Sequence, residues 1–218
     1  MVATPRLRSL CWVALVALPV GCSTAYYDAW EKLGYEKRDI LVSRVEKARD
    51  EQTDAKQQFA STLDEFKSLT GFNGGDLEAE YDKLNSSYTD CETEAASVSK
   101  KIRSVDKVAN DMFVEWQGEL DQYQDQSLRA SSAQKLAESK QRYAELLAAM
   151  RKSEAAMTPV LAAFHDRVLF LKHNLNASAI SSLSTTAAGI DTNVQDLIKQ
   201  MDASIDQANA FIDNLKKT

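Results

Sequence analysis

Proline and glycine are scarce in this chain. It has 3 prolines and 7 glycines in 218 residues. Beyond residue 22 only Pro159 and Gly34, Gly71, Gly74, Gly75, Gly118 and Gly189 remain. A sheet protein needs turn residues at short intervals and strands of alternating β-branched residues, and neither pattern occurs. What fills the space is Ala, Glu, Lys, Gln, Asp and Ser, a composition that favours long helices. Histidine and cysteine are scarce too, with 2 and 3 copies. His165 and His173 stand eight residues apart, about 12 Å along a helix axis, too far to share one metal ion. Asp166, next to His165, falls on a different helical face. No Glu-x-x-His pair, glycine-rich phosphate loop or serine nucleophile elbow is present. The expectation is a protein that is not an enzyme, with no catalytic, metal or cofactor-binding residues.

Long apolar runs are also missing. The longest useful one is SLCWVALVALPV, Ser9 to Val20. A membrane-spanning helix needs roughly 20 such residues. The run follows Arg6 and Arg8 without an acidic residue, which is the layout of a secretory signal. It ends in LPVGC, which resembles a bacterial lipobox, with Gly21 before Cys22. Pro19 departs from that pattern, because an aliphatic residue usually stands three places before the cysteine. The expected boundaries are a lipoprotein signal over residues 1–21 and lipidation at Cys22. Removing the signal takes Arg6, Arg8 and no acid, so the formal charge moves from −6 to −8. That acidity disfavours nucleic acid and anionic lipid surfaces. With Cys22 acylated, Cys91 is the one thiol left, so no disulfide can close within the chain. Ser23, rather than Asp, follows the lipid site, which resembles lipoproteins sent to the outer membrane.

What is present is periodicity. From Leu77, steps of four and three reach Tyr81, Leu84, Tyr88, Cys91, Ala95, Val98, Ile102, Val105, Ala109, Met112 and Trp116. This is a heptad seam of more than five repeats, the signature of a coiled coil. The same stepping from Leu41 passes through Phe59 and Phe66 to Leu69, with Gln52 and Thr62 as polar interruptions. A third series runs from Leu136 to Leu175 with one extra four-residue step near Phe164. A fourth runs from Ile180 to Leu215 and passes through Ile205, again with one extra step. Such stutters locally unwind a coiled coil.

The turns fall where the seams stop. TGFNGG reverses the chain, and Asp76 is a good cap for the helix that follows. DQYQDQS ends the second helix, with Ser127 as cap of the third. KHNLNAS, without Gly or Pro, is the third turn. Pro159 either kinks the third helix or restarts it with Thr158 as cap. The expected fold is all-α: an elongated antiparallel four-helix bundle or coiled coil over residues 37–218. Its length would be on the order of 65–75 Å. The alanines Ala148, Ala149, Ala155, Ala156, Ala162 and Ala163 form a small second face on helix three. They admit a close neighbour or simply favour helix.

Residues 22–36 form a lipid-anchored aromatic collar in this reading. Tyr26 and Trp30 are candidate contact residues, because such rings favour the membrane interface. Packing on Phe113, Trp116, Leu120, Phe211 and Leu215 is the other use open to them. Phe72, in the far turn, is a candidate partner contact at an exposed tip or a side chain folded back on the bundle. The charged run EKRDILVSRVEKARDE reads as a solvated face held by weak ion pairs, or as a docking strip.

The segments AWEKLGYEKRDILVSRVEKARDEQ, LDEFKSLTGFNGGDLEAEYDKLN and LAAMRKSEAAMTPVLAAFHDRVLFLKHNLNA resemble one family of uncharacterised proteobacterial envelope proteins. That family is catalogued as a domain of unknown function. The resemblance spans about Tyr26 to Leu215. It implies a secreted, often lipid-anchored helical protein and supplies no catalytic residues. The combined expectation is a lipid-anchored helical rod on the periplasmic face of the outer membrane. It would serve as a structural or adaptor lipoprotein, meeting the membrane through its lipid and binding an envelope protein or its own copies. The alternative is a module that lies on and shapes the membrane surface.

Overall fold

The computed structural model describes residues 37–71, 74, 76–184 and 187–217. The chain divides into two units, Met1–Glu36 and Lys37–Thr218. The signal, Cys22, Tyr26, Trp30 and the tip residue Phe72 lie outside the described residues.

The described residues are helical and contain no strand. In order they form α1 (Lys37–Thr70), α2 (Leu77–Glu119), a 3-10 turn (Leu120–Gln122), α3 (Gln126–His173), α4 (Ala177–Ser184) and α5 (Ala187–Lys217). At 1.5 Å per residue α1, α2 and α3 are about 51, 65 and 72 Å long. The fold is a helical bundle. The last apolar series runs through α4 and α5.

Local chemistry accounts for the ends. Asp76 caps α2, its carboxylate accepting from the amides of Glu78 and Ala79 at 3.1 and 3.2 Å. Gly74, in the preceding turn, has φ +139°, a conformation that side chains rarely adopt. The α3 cap is Asp125, not Ser127. The Asp125 carboxylate accepts from the amides of Ser127 and Leu128 at 2.7 and 3.2 Å. The helix therefore starts two residues earlier than Ser127 would have started it, and the charge of Asp125 suits its N-terminus. α3 ends at His173, and Asn176 accepts from the Ala179 amide at 3.0 Å to start α4. α3 does not restart at Pro159. Pro159 is exposed, and so is Ala155, whose carbonyl loses its helical donor.

The core follows the seams. In α1 every expected seam residue from Leu41 to Leu69 is at most 1% exposed, Gln52 and Thr62 included. α2 buries Leu84 through Met112 on the expected positions, with Ser87, Val108 and Phe113 added. In α5 the seam passes through Ser204, which is fully buried, while Ile205 is only half-buried. The series Met201, Ser204, Ala208, Phe211, Leu215 keeps regular steps, so the stutter expected at Ile205 is not needed. Ala149, Ala156 and Ala163 are half-buried at heptad spacing, whereas Ala148, Ala155 and Ala162 are exposed.

Cross-links between helices follow a regular register. From α1 to α2 the ion pairs are Lys37–Glu115, Glu51–Lys101 and Glu65–Lys83, at 2.7, 3.4 and 3.8 Å. From α1 to α5 they are Glu46–Lys216, Lys56–Asp202 and Lys67–Asp191, at 2.8, 2.6 and 2.6 Å. In both sets partner numbers fall as α1 numbers rise. Between α1 and α3 they rise together: Gln52 meets Ser153, and Phe59 stacks on Phe164 with centroids 6.4 Å apart. These two contacts cross the core.

Candidate functional site

Two polar layers interrupt the apolar core, and both belong to α1. In the first, Thr62 Oγ1 donates to the Gln58 carbonyl at 2.9 Å and lies 3.3 Å from the Ser87 carbonyl. Cys91 Sγ stands 3.2 Å from the same hydroxyl. Burial pushes the Cys91 thiol up to about 11; Thr62 partly opposes this, while Asp90, Glu65 and Glu94 add to it. A thiol in that state is protonated at neutral pH and a weak nucleophile.

In the second layer Gln52 Nε2 donates to Ser153 Oγ at 3.0 Å, and Ser153 Oγ donates to the Met150 carbonyl at 2.8 Å. Gln52 Oε1 and Ser204 Oγ are buried and meet no hydrogen-bonding group among the described residues.

A third polar group closes the α2–α3 edge. Tyr143 donates to Asp106 Oδ1 at 2.6 Å, and Arg151 reaches Asp106 Oδ2 at 2.9 Å. Burial, followed by the Asp106 hydrogen bond, holds the Tyr143 phenol far above its ordinary range. Its ring lies 5.5 Å from Phe113 and 6.3 Å from Phe211. Trp116 donates to Ser132 at 2.9 Å. Leu120 and Leu215 are buried. Of the five side chains named as possible partners of Tyr26 and Trp30, Phe113, Leu120, Phe211 and Leu215 thus belong to the core, and Trp116 is tied to α3.

The histidines stay apart. His165 lies 5.8 Å from the Tyr88 ring, and His173 is exposed at the end of α3. His165 and Asp166 were expected on different faces. Their side chains nevertheless approach to 3.8 Å in solvent, beyond hydrogen-bond length. No group of three His, Cys, Asp or Glu side chains that could hold a metal occurs among the described residues.

The chain matches the family described as "Protein of unknown function (DUF2959)" over residues 26–215. It belongs to that family. No curated protein matches it, and no solved structure does. For this member of the family, no described helix is long and apolar enough to cross a membrane.

The surface offers more than the periodicity revealed. A groove of about 520 Å³ between α2 and α3 is lined by Glu92, Ala96, Ser99, Arg151, Thr158 and Leu161, among others. A second, about 420 Å³, is lined by Phe113, Val114, Gln117, Lys140 and Tyr143 with Asn110. Val114, Leu169, Phe170 and Leu175 are large apolar side chains open to solvent. Sequence stepping missed all four as surface features: Leu175 was placed on a seam, and the others fell between seam positions.

Proposed function

We propose that the chain is a non-catalytic, lipid-anchored structural or adaptor protein on the periplasmic face of the outer membrane. In this reading the four rods run up, down, up and down, with α4 and α5 together as the fourth. The observation that carries it is how the chemistry-bearing side chains are used. Thr62 and Cys91 satisfy each other in the core, Asp106 clasps Tyr143 and Arg151, and His165 and His173 sit apart on the surface. Such an arrangement supports shape and spacing rather than turnover. The falling and rising contact numbers support the antiparallel arrangement. The lipid site at Cys22 rests on the lipobox-like LPVGC segment. Several acyl chains on one cysteine would hold the rod to the membrane.

The partner is another envelope protein or a second copy, met through exposed apolar side chains such as Leu169, Phe170 and Leu175. In-cell cross-linking of the native protein, followed by mass spectrometry, tests this. Links from Lys172, beside those residues, to one recurrent envelope protein or to a second copy are expected. Links only to lipid-surface proteins in proportion to their abundance would remove the adaptor reading.

A further inference from the structure

We propose that the Gln52 layer is a binding site for one internal water molecule, held between Gln52 of α1 and Ser204 of α5. Through it α5 joins the polar contact that already links α1 to α3. Two side chains carry this reading. Gln52 and Ser204 are both fully buried. Gln52 Oε1 and Ser204 Oγ are closed to solvent, and neither meets a hydrogen-bonding group among the described residues. A polar group buried in that way costs stability until something pairs it.

The helix register puts the two at neighbouring levels of the core. Arg49 reaches Asn209 at 3.1 Å, and Lys56 reaches Asp202 at 2.6 Å. The α1 stretch 49–56 therefore runs against the α5 stretch 202–209. Gln52 and Ser204 lie inside these stretches, each on a core-facing seam. A serine hydroxyl can donate and an amide oxygen accepts, yet no direct bond joins them. Their separation thus exceeds one hydrogen bond while both stay at neighbouring levels, an interval that a water spans. The side chains around them are small. Ala48 and Ala55 flank Gln52 on α1, Ala208 follows Ser204 on α5, and all three are fully buried.

The donors and acceptors balance. Gln52 Nε2 donates to Ser153 Oγ at 3.0 Å, and Ser153 Oγ donates to the Met150 carbonyl at 2.8 Å. This leaves Gln52 Oε1 to accept, the Ser204 hydroxyl to donate, and one lone pair spare on Ser153. The water accepts from Ser204 and donates to Gln52 Oε1, and Ser153 is an acceptor in the same layer for its other proton. Buried waters hold about 3 such bonds, whereas a purely apolar cavity stays dry. Turning the Gln52 amide over changes which end is paired and still leaves one end for the water. A fixed water loses freedom, so an apolar side chain at residue 52 can displace it without a net loss of stability.

The test counts long-lived internal waters in the full chain by oxygen-17 magnetic relaxation dispersion. The double variant Gln52→Leu, Ser204→Ala removes both partners and should lose one such water relative to wild type. Thr62→Val, at the other polar layer, should keep the wild-type number. A high-resolution crystal structure of the wild-type chain gives a reading that does not depend on the variants folding. A density peak should lie within hydrogen-bond distance of both Gln52 Oε1 and Ser204 Oγ. An unchanged count in the double variant overturns the proposal, and so does an equal loss in Thr62→Val. So does a Ser204 hydroxyl bonded straight to Gln52, or to the Gln200 carbonyl of its own helix, with no peak between the two side chains.

Discussion

The two polar layers of α1 stand ten residues apart and are built in opposite ways. Thr62 is saturated: it donates to a carbonyl of its own helix, lies near another of α2, and meets the Cys91 thiol. Gln52 is half-satisfied, because its amide nitrogen reaches Ser153 while Oε1 meets no donor among the described residues. Both side chains are fully buried. The difference lies in shape. A hydroxyl one bond from the β-carbon can fold back on its own helix. A glutamine must reach across the core and brings two polar ends to be paired. Saturated layers cost little and mark register, whereas half-paired ones cost stability that an apolar side chain would recover. The Gln52 layer, which links α1 to α3 across the core, therefore suits the fixing of register more than the gain of stability.

The apolar layer between them sets the scale. Phe59 is fully buried and stacks on Phe164, itself 1% exposed. Phe59→Ala removes that stack and opens a cavity on both helices. The expected loss is about 3–5 kcal/mol in urea unfolding of the full chain. A loss under about 1 kcal/mol would mean the core can collapse there, and the contrast between the two polar layers would then carry little energy.

Gln52→Leu sharpens the contrast directly. Leucine removes the unpaired Oε1 and leaves Ser153 bonded to the Met150 carbonyl, so no new orphan forms. The expected change is a gain of about 1 kcal/mol or near neutrality. Thr62→Val should instead lose about 1 kcal/mol, since it breaks a satisfied layer and leaves the Cys91 thiol without its partner. Unfolding midpoints of the two variants check the signs. If both move the same way, satisfaction is not what separates the layers.

How much of this was legible follows from what hydrophobic stepping can detect. Gln52 and Thr62 were visible because they interrupt an otherwise apolar series. Ser204 was not, because Ile205 stood next to it and kept the series apolar at the cost of a false stutter. Packing places the small serine at the crowded position and leaves the isoleucine half-buried. The Asp125 cap was missed for a related reason, since Ser127 is equally suited by type and only backbone geometry separates them. Pairings across helices, unlike periodicity within one, are absent from a local pattern.

The surface clasps give the smallest effect and the last check on the comparison. Lys56, on α1 between Gln52 and Thr62, pairs with Asp202 of α5 at 2.6 Å, and both side chains keep substantial exposure. Exposed pairs of this kind contribute about 0–1 kcal/mol, since water screens the charges and two long side chains lose freedom. Lys56→Ala should therefore shift the unfolding midpoint by less than either core polar substitution, and added salt should shrink the shift further. A larger loss, insensitive to salt, would show that the α1–α5 edge depends on its clasps. The energetic weight now given to the buried layers would then move to the surface.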